Sequence, residues 1–377
     1  MKILFLDQSG KPGGAELCLI DIAKPIRDRC LVGLFADGDF RRLLEQEQIP
    51  VQVLTQQAIQ VRKESGLTQG LASLGQLLPL IRNVVPIARN FDIIYANTQK
   101  ALVVGAVASF LARRPLVYHL HDILSPEHFS TTNRRIAVTL ANRAQLVIAN
   151  SSASKQAFVA AGGREDIVEI VYNGFELNKY QIPQQESLVI RQELGLTDKF
   201  IIGHFSRLSP WKGQHILIAA LAKVPEQACL ILVGDALFGE QKYVQQLHTQ
   251  VQELGLETRV KFLGFRHNIP QLMSACDLIA HTSTAAEPFG RVIVEAMLCG
   301  KPVVAAKAGG AMELVESGVN GFLTTPGNVE ELAEVINLCI HQPEKTAMIA
   351  EHARYTASQR FDVAVINQQL ARFLDKI

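Results

Sequence analysis

The most informative segment of the sequence is His281-Thr-Ser-Thr-Ala-Ala-Glu-Pro-Phe-Gly-Arg-Val-Ile-Val-Glu-Ala-Met-Leu-Cys-Gly300. It predicts the end of a strand, then a loop rich in serine and threonine, then a helix that starts just after the loop. Backbone N–H groups at the start of that helix would lack intrahelical partners, which suits a phosphate ligand. The residues that would supply those N–H groups are Phe289, Gly290 and Arg291.

Two carboxylates frame this predicted helix start. Glu287 comes just before the helix and Glu295 about two turns into it. Carboxylate oxygens accept hydrogen bonds, so both side chains would bind the hydroxyl groups of a sugar. The plainer alternative makes Glu287 a helix cap and Glu295 part of a solvated face.

The rest of the chain alternates short β-rich runs with longer helical patterns, which predicts parallel sheets with crossover helices. The predicted strands of the first half are Ile3–Leu6, Cys30–Phe35, Ile93–Ala96, Leu116–His119 and Leu146–Asn150. Those of the second half are Phe200–His204, Cys229–Val233, Val260–Leu263, Leu278–Ala280 and Pro302–Ala305. We therefore expect an α/β protein with two doubly wound domains, 1–180 and 181–362, and a ligand site at the carboxyl ends of the strands.

Length and composition agree with two soluble domains. The chain has 377 residues, of which 48% are hydrophobic and 19% charged, enough apolar side chains for two cores. The 37 basic and 36 acidic residues nearly cancel, which argues against a nucleic-acid partner. Six scattered cysteines without a CxxC pair, no signal peptide and no long apolar run favour a cytoplasmic protein.

A second constellation follows the strand that ends at His204. The segment Ser206-Arg-Leu-Ser-Pro-Trp-Lys-Gly213 places Arg207 and Lys212 at a predicted strand end. A planar guanidinium and a compact ammonium suit a diphosphate. Taken singly, both side chains would more often be surface charges.

Two further segments lie at strand ends in the first half. Gly13 and Gly14 allow a backbone to approach an anionic ligand closely, although the segment matches neither a dinucleotide fingerprint nor a Walker loop, and a tight turn is the plainer alternative. Strand alternation puts His119 and His121 on one side, with His121 nearer the sheet edge. Without a second histidine pair at ligand spacing, we predict no metal at these histidines.

The pattern Asp37-Gly-Asp39 resembles the D-x-D motif with which some sugar transferases hold a divalent metal. Because it lies between a strand and Phe40-Arg-Arg-Leu-Leu44, turn chemistry explains it better. We predict a polar turn there.

Together these segments resemble family 4 of the retaining glycosyltransferases, which have the GT-B architecture of two facing Rossmann-like domains. The resemblance extends over nearly the whole chain, and its E-x7-E pattern, Glu287 to Glu295, is specific. The other matching segments are Gly13-Gly14-Ala15-Glu16, His121-Asp122, Asn173-Gly174, Arg207 with Lys212-Gly213, Val233-Gly234-Asp235, Phe262-Leu263-Gly264, Gly300-Lys-Pro-Val-Val304, Gly309-Gly310 and Gly321.

The resemblance implies a role for each candidate residue. Glu295 would bind the ribose of a nucleotide-sugar donor, Glu287 the transferred sugar, and Arg207 and Lys212 the diphosphate. Gly14 would let the N-terminal domain close on the donor, and His121 would lie near the sugar and the acceptor. The final helix, about 363–377, would cross back to the N-terminal domain. The catalytic set is therefore Glu287, His121, Arg207 and Lys212.

The implied reaction is a retaining transfer to a hydroxyl group of a glycan, a lipid-linked acceptor or a small molecule, as in polysaccharide or glycolipid biosynthesis. It would need no metal and no cofactor, since cations of the protein stabilise the leaving group. Two departures from the family pattern, Ser206 and Ala236 in place of glycines, concern local loop geometry. The alternatives are a nucleotide-sugar epimerase of the same fold and a non-catalytic subunit that binds nucleotide sugars.

A weak peripheral membrane contact is a further expectation. Five arginines crowd one stretch of the net-positive first half: Arg113, Arg114, Arg134, Arg135 and Arg143. Basic residues attract an anionic leaflet, although an ordinary solvated face is the plainer alternative.

Overall fold

A computed structural model describes residues 1–55, 67–236 and 239–377. The chain divides into two compact units, Met1–Gly174 with Val363–Ile377 (unit 1) and Phe175–Asp362 (unit 2). The division lies after Gly174 rather than at residue 180. Phe175 belongs to unit 2 because its N–H donates to the Phe361 carbonyl at 2.8 Å and its ring stacks near that of Phe289.

Unit 1 is built on one parallel sheet of seven strands in the order β3-β2-β1-β4-β5-β6-β7. The strands are β1 Ile3–Asp7, β2 Cys30–Leu34, β3 Val51–Val53, β4 Ile93–Ala96, β5 Leu116–Leu120, β6 Leu146–Ala149 and β7 Val168–Ile170. The helices are α1 Gly14–Ala23, α2 Asp39–Gln46, α3 Leu67–Ala88, α4 Gln99–Ala112, α5 Thr131–Ala141, α6 Ser152–Ala160 and α15 Val363–Leu374, with 3₁₀ turns at Lys24–Arg29 and Glu165–Ile167.

The central strands of unit 1 are mostly apolar because helices cover both faces of the sheet. Along β1, Leu4 and Leu6 belong to the core on one face, and Phe5, between them, belongs to the core on the other. The second core also takes in the final helix, α15, through Ile366 and Leu370. The last helix is thus part of unit 1.

Unit 2 is built on a parallel sheet of six strands in the order β10-β9-β8-β11-β12-β13. The strands are β8 Phe200–Phe205, β9 Ala228–Val233, β10 Val260–Gly264, β11 Leu278–His281, β12 Val303–Ala306 and β13 Phe322–Thr324. The helices are α7 Gln184–Glu193, α8 Gln214–Leu221, α9 Gln241–Glu253, α10 Ile269–Ala275, α11 Arg291–Leu298, α12 Ala311–Leu314, α13 Val329–His341 and α14 Pro343–Arg360, with 3₁₀ turns at Leu177–Tyr180 and Pro210–Lys212.

The predicted fold class of two parallel, Rossmann-like sheets is confirmed. Sequence analysis missed the strands β3, β7 and β13, each of three residues at a sheet edge. Such short runs carry too little periodicity to be recognised.

Each sheet reverses its strand order at one place, where open α/β sheets bind ligands beyond the carboxyl ends of the strands. In unit 1 the reversal lies between β1 and β4, and in unit 2 between β8 and β11. None of the helices in the described part of the chain is long and apolar enough to cross a membrane.

Candidate functional site

The loop after β11 is held in place by backbone contacts with a glycine pair. Gly310 N–H donates to the carbonyl of Glu287 at 2.7 Å, and Glu287 forms a parallel bridge with Gly309. A Cβ atom at Gly309 would lie 2.3 Å from the Glu287 carbonyl oxygen, and Gly309 has a φ of +61°. Glycine is therefore required at this position for the loop to lead into α11 as it does.

Glu287 lies at the centre of a hydrogen-bonded cluster at the carboxyl end of β11. Its Oε2 accepts from Lys212 Nζ at 2.6 Å, lies 3.1 Å from His281 Nε2, and accepts from Ser283 Oγ at 3.2 Å. Burial raises the pKa of the Glu287 carboxyl, but the charge of Lys212 and the hydrogen bonds outweigh burial and hold that pKa well below its ordinary range. Glu287 is therefore an anion over the physiological pH range.

Lys212 reaches Glu287 because the loops after β8 and β11 are joined. Thr282 Oγ1 donates to the Gly213 carbonyl at 3.0 Å, and a Cβ atom at Gly213 would lie 1.9 Å from the Thr282 carbonyl oxygen. Gly213 has a φ of +73°, which a glycine adopts without strain. Glycine at 213 thus allows the two loops to approach closely, and this approach brings Lys212 to Glu287.

The cations of Arg207 and Lys212 both lie near the ring of Trp211. Lys212 Nζ is 4.0 Å from the centre of the Trp211 ring and the Arg207 guanidinium carbon is 5.7 Å from it. Such cation–π contacts hold both cations near the same strand end. The geometry suits an anionic ligand beside the ring.

The Ser206 departure from the family pattern is accommodated by a buried glutamine. Gln214 Nε2 donates to Ser206 Oγ and to the Arg207 carbonyl, both at 2.9 Å. Tyr243 donates in turn to Gln214 Oε1 at 3.2 Å. The serine hydroxyl thus helps to hold the loop that carries Arg207. Sequence analysis missed Gln214 and Tyr243 because neither belongs to a local motif.

Glu295 lies on α11 beside an arginine of the same helix. Arg291 Nε is 3.6 Å from Glu295 Oε1, and the guanidinium carbon of Arg291 is 4.5 Å from the centre of the Phe175 ring. The hydroxyl of Tyr180 also lies 3.5 Å from Glu295 Oε1. Glu295 is therefore not on a solvated face, since only 13% of its side chain is exposed.

The structure confirms that a helix starts at residues 289–291 and shows where the Phe289 side chain lies. α11 begins at Arg291, and Gly290 precedes it with a φ of +96°. The Phe289 side chain is buried and contacts the rings of Phe175 and Phe361. At Phe289 it is therefore the backbone, and not the side chain, that could bind a ligand.

In unit 1 the glycine pair opens α1 beside a buried acid. Gly14 is the first residue of α1, and a Cβ atom at Gly13 would lie 2.9 Å from Glu16 Oε2. Burial and the nearby charges of Asp7 and Asp122 together raise the pKa of Glu16 to about 8, although backbone hydrogen bonds at Glu16 and Gly13 oppose the rise. Glu16 therefore carries a proton at neutral pH.

Asp7, at the end of β1, is also buried. Burial raises the pKa of its carboxyl to about 6, although the hydrogen bond from Asn97 and backbone N–H groups oppose the rise. Asn97 Nδ2 lies 2.7 Å from Asp7 Oδ2, and Asn97 Oδ1 lies 3.0 Å from His121 Nε2. These side chains join the ends of β1, β4 and β5.

His119 and His121 lie on the same side of β5, as alternation predicts, with ring centres 3.8 Å apart. His119 is buried, and its Nδ1 is 2.8 Å from the Tyr95 hydroxyl. Burial holds the pKa of His119 well below its ordinary value, so this ring is neutral. His121 is half-buried and is the histidine at the sheet edge.

A thiol lies beside these histidines. Ligand atoms of Cys18, His119 and His121 lie within 4.8 Å of one another. The histidine spacing gives no sign of Cys18, which is about 100 residues away along the chain. Thiolate and imidazole are ligands of soft or borderline metals such as zinc.

The D-x-D pattern forms an exposed turn. Asp37 pairs with Arg41 at 3.2 Å and Asp39 with Arg42 at 3.1 Å. A Cβ atom at Gly38 would lie 2.3 Å from the Gly10 carbonyl oxygen. Both carboxylates thus pair with arginines in the first turn of α2, as expected for a polar turn before a helix.

The candidate residues thus form two clusters, one at the carboxyl edge of each sheet. Glu287, Lys212, Arg207 and Glu295 belong to unit 2, with the backbone of 289–291. Gly14 and His121 belong to unit 1. The sequence pattern did not indicate a role for Ser283, His281, Gln214, Tyr243 and Tyr180 in unit 2, or for Asp7, Asn97 and Cys18 in unit 1.

Both halves of the chain are similar to known proteins. The family model described as Glycosyltransferase Family 4 matches residues 12–179, and the one described as Glycosyl transferases group 1 matches residues 187–356. The chain is 68% identical to HepE of Anabaena, crystallised in complex with UDP-glucose, over 100% of both chains, with a TM-score of 0.94.

Two curated relatives are more distant. The chain is 32% identical to spore coat protein SA of Bacillus subtilis over 55% of its length, and 27% identical to the D-inositol 3-phosphate glycosyltransferase of Mycobacterium tuberculosis over 71%. It spans 58% of the length of each of these two relatives. On the family matches and the full-length similarity to HepE, the chain belongs to the group 1 glycosyltransferases with the GT-B fold.

Proposed function

We propose that this protein transfers glucose from UDP-glucose to a hydroxyl group of an acceptor, with retention of the anomeric configuration and without a metal ion. The choice of donor rests on the 68% identity to HepE, whose crystal structure contains UDP-glucose. The observation that carries the chemistry is the cluster of Glu287, Lys212, His281 and Ser283 at the edge of the unit 2 sheet.

The donor would bind to unit 2 through four kinds of contact. Glu295 accepts from the ribose hydroxyls, and Glu287 accepts from the hydroxyls of the glucose. The diphosphate is bound by the cations of Arg207 and Lys212 and by the backbone N–H groups at the start of α11. An ammonium has three N–H donors, so Lys212 can bind a phosphate oxygen while it still donates to Glu287.

Bond breaking would depend on these cations. As the bond from the anomeric carbon to the phosphate oxygen breaks, its electron pair stays on the β-phosphate, and negative charge grows there. Lys212 and Arg207 stabilise that charge more in the transition state than in the ground state, which is what lowers a barrier. The acceptor oxygen bonds to the anomeric carbon on the same face, and its proton goes to the departing phosphate.

Glu287 has a second task in this scheme. Its carboxylate is held as an anion close to the sugar, where positive charge develops on the anomeric carbon and ring oxygen. An anion placed in advance stabilises that charge without reorganisation. His121 of unit 1 would contact a sugar or acceptor hydroxyl, and Gly14 would let the backbone of α1 approach the donor.

The acceptor side would include a weak contact with an anionic membrane. Val107, Phe110 and Leu111 form an exposed stripe on α4 at helical spacing, with Phe110 80% exposed. On the adjacent helix α5, Ile136 is 47% exposed. These side chains supply an apolar surface that the arginine pattern alone did not predict.

The charges beside this apolar surface are of one sign. Arg113, Arg135 and Arg143 are exposed, whereas Arg114 donates to the Arg89 carbonyl at 2.7 Å and Arg134 is half-buried. The sequences of α3, α4 and α5 contain no aspartate or glutamate. A cationic surface with exposed aromatic and aliphatic side chains complements an anionic bilayer.

The donor assignment is tested by the thermal stability of the protein with a series of nucleotide sugars. A ligand at 100 times its Kd stabilises the native state by about 2.7 kcal/mol. We expect UDP-glucose to raise the melting temperature of the wild type and of Glu253→Gln, an exposed control on α9, more than UDP-galactose or GDP-mannose does. Glu295→Gln should abolish most of that shift.

Two outcomes would overturn the proposal. Conversion of UDP-glucose to another UDP-sugar without an acceptor would indicate an epimerase. Binding of UDP-glucose with no release of UDP under any acceptor condition would indicate a non-catalytic subunit.

A further inference from the structure

We propose that His281 is a positioning residue for Glu287. With Ser283, it holds the Glu287 carboxylate in one orientation, in which Oε2 is bound by the protein and Oε1 is left for a hydroxyl group of the transferred sugar. The orientation follows from the hydrogen bonds of unit 2 alone. The assignment of Oε1 to the sugar rests on the proposed function.

The hydrogen bonds that described residues make to the Glu287 carboxylate all go to one oxygen. Oε2 lies 2.6 Å from Lys212 Nζ, 3.1 Å from His281 Nε2 and 3.2 Å from Ser283 Oγ. Within the part of the chain that the structure describes, Oε1 has no hydrogen-bond partner, and it is not one of the fully buried polar atoms that lack one. Oε1 is therefore the oxygen that a ligand can reach.

His281 must be a donor to Oε2. The pKa of the Glu287 carboxyl is held well below its ordinary range, so Oε2 belongs to an anion and can only accept. Nε2 of His281 therefore carries a hydrogen. Ser283 Oγ lies 3.2 Å from this Nε2 as well as from Oε2, and its single hydrogen goes to Oε2 because Nε2 already has its own. The imidazole and the hydroxyl thus both donate to Oε2.

The second ring nitrogen of His281 makes no such contact. Nδ1 is buried and has no hydrogen-bond partner among the described residues. A buried polar atom without a partner costs stability, and an aromatic ring without nitrogen would fill the same space and avoid that cost. The bond from Nε2 to Glu287 is therefore the contact that an imidazole adds at this position.

A different histidine contacts the other partner of the ion pair. His204 lies in β8, beside β11, and its Nε2 is 3.2 Å from the Lys212 carbonyl and 3.1 Å from Thr282 Oγ1. Burial lowers the pKa of His204 to about 3, so this ring is neutral at physiological pH. His204 thus contacts the backbone of Lys212, whereas His281 contacts the side chain of Glu287. The cation and the anion are positioned from different strands.

Separate positioning matters during the proposed transfer. Lys212 interacts more strongly with the β-phosphate as negative charge grows there, so its hydrogen bond to Glu287 weakens. His281 and Ser283 have no phosphate contact in this scheme and continue to donate to Oε2. The carboxylate therefore keeps its orientation toward the positive charge that develops on the sugar, and an orientation set in advance needs no reorganisation.

Three substitutions of His281 test the positioning role by the reach of the donor. His281→Gln keeps an N–H group at a reach similar to that of Nε2, His281→Asn keeps one only at the reach of Nδ1, and His281→Phe keeps a ring without a donor. We expect kcat with UDP-glucose to stay within about threefold of wild type in His281→Gln, because the donor is retained. In the other two variants kcat should fall by about 10- to 100-fold, the range for one hydrogen bond to a charged group. KM for UDP-glucose should change by less than about threefold, since the ribose and diphosphate contacts remain.

The matched control is His248→Phe, the same change at an exposed histidine of α9, which should leave kcat and KM unchanged. Thermal melts of all four variants show whether they fold. A purely packing role would not give retained activity in His281→Gln together with lost activity in a folded His281→Phe, since phenylalanine preserves the ring and glutamine does not.

A second measurement needs no transfer reaction. In full-length protein labelled with ¹⁵N in histidine, a ring nitrogen that carries a hydrogen resonates far from one that does not, and the His281 signals are identified by their loss in His281→Gln. We expect Nε2 of His281 to carry a hydrogen throughout the pH range in which the wild-type protein is folded and Glu287 is ionised. A neutral ring with its hydrogen on Nδ1 would overturn the proposal.

The outcomes separate the two proposals. Equal losses of kcat in His281→Gln and His281→Phe, or an unchanged kcat in His281→Phe, would overturn the positioning role while leaving the transferase intact. An absence of any transfer from UDP-glucose by the wild-type protein would overturn the proposed function, and the ¹⁵N spectra would still decide whether His281 donates to Glu287.

Discussion

The two sheet edges have the same topology and opposite electrostatics. At the edge of unit 2, Glu287 faces a lysine at 2.6 Å, and its pKa is held far below its ordinary range. At the edge of unit 1, burial without a neighbouring cation raises the pKa values of Asp7 and Glu16 to about 6 and about 8, and the hydrogen bond from Asn97 opposes the rise at Asp7 only in part. Burial is common to both edges, and the neighbouring charge decides the outcome.

The same type of sheet edge thus provides two different chemical environments in this protein. The unit 2 edge keeps fixed charges of both signs, which suits a donor whose leaving group becomes more anionic. The unit 1 edge keeps protons and neutral hydrogen-bonding groups, which suits hydroxyl groups of a sugar or an acceptor. Substitutions of the unit 2 cations should therefore affect activity most.

Loss of a cation at unit 2 should have the largest effect. Lys212→Ala and Arg207→Ala each remove a charge-assisted partner of the leaving group, and removal of one such donor in other enzymes costs about 2.7–4 kcal/mol of transition-state stabilisation. We therefore expect turnover to fall by about 100- to 1,000-fold in steady-state assays of UDP release.

The control for that experiment is Lys223→Ala, because Lys223 pairs with Glu330 on the surface and both side chains are at least half exposed. Exposed pairs contribute about 0–1 kcal/mol, so turnover should not change.

Lys212→Ala also leaves the Glu287 carboxylate buried without its cation, which costs stability. Lys212→Met with Glu287→Gln should recover stability but not turnover. Activity within twofold of wild type for both single variants would contradict the assignment.

The raised pKa values of Glu16 and Asp7 should make the stability of unit 1 depend on pH. A carboxyl whose folded-state pKa is raised stabilises the fold fully below its ordinary pKa, and that contribution is lost as the pH rises through the folded-state pKa. For Glu16 the loss extends from 4.5 to about 8, and for Asp7 from 3.8 to about 6.

Glu16→Gln removes the larger of these two dependences. Relative to wild type, the variant should gain stability as the pH rises from 5 to 8.5, by at least about 1.4 kcal/mol, the equivalent of one pKa unit. Thermal melts across this range measure the gain, at about 2–4 °C per kcal/mol for units of this size. A difference that stays constant or shrinks with pH would show that Glu16 is already ionised.

Chelation should have little effect on turnover. The proposed chemistry uses Lys212 and Arg207 where other transferases use a metal, so activity should survive exhaustive treatment with EDTA. If activity is lost and zinc or manganese restores it, the trio of Cys18, His119 and His121 becomes the first site to examine. In that case, zinc or manganese should no longer restore activity in Cys18→Ser.

The smallest expected effect concerns the membrane. Burial of an exposed aromatic side chain contributes about 1.5–3 kcal/mol, so Phe110→Ser should weaken binding to vesicles of anionic lipid by about tenfold or more. Phe265→Ser, a similarly exposed phenylalanine of unit 2, is the matched control. Co-sedimentation at increasing salt measures both. No binding of wild-type protein at low salt would retire the membrane contact.

The sequence predicted those features that local pattern determines. Apolar runs marked the ten longer strands, and the segment from Glu287 to Glu295 marked a loop and helix that the structure contains. Three-residue edge strands such as β13 escaped because they are too short for a periodic pattern. Local spacing also explains why the glycines at 213 and 309 could be recognised, since each allows two backbones to approach.

Contacts between residues distant in sequence could not be predicted. Asn97 joins Asp7 to His121 across two strands, and Cys18 approaches the histidines only after α1 packs beside the sheet. Likewise, the contact of Tyr180 with Glu295 spans 115 residues. Such partners depend on strand order, which hydrophobic periodicity does not reveal.

The most direct test of the central claim is the anomer of glucose released when water replaces the acceptor. The enzyme is mixed at high concentration with UDP-glucose, and proton NMR follows the anomeric signals before mutarotation equilibrates them. With retention and a leaving group stabilised by Lys212, UDP and α-glucose should appear together, and release should be lost in Lys212→Ala but persist in Lys223→Ala. Initial release of β-glucose, or release that does not depend on Lys212, would contradict this mechanism.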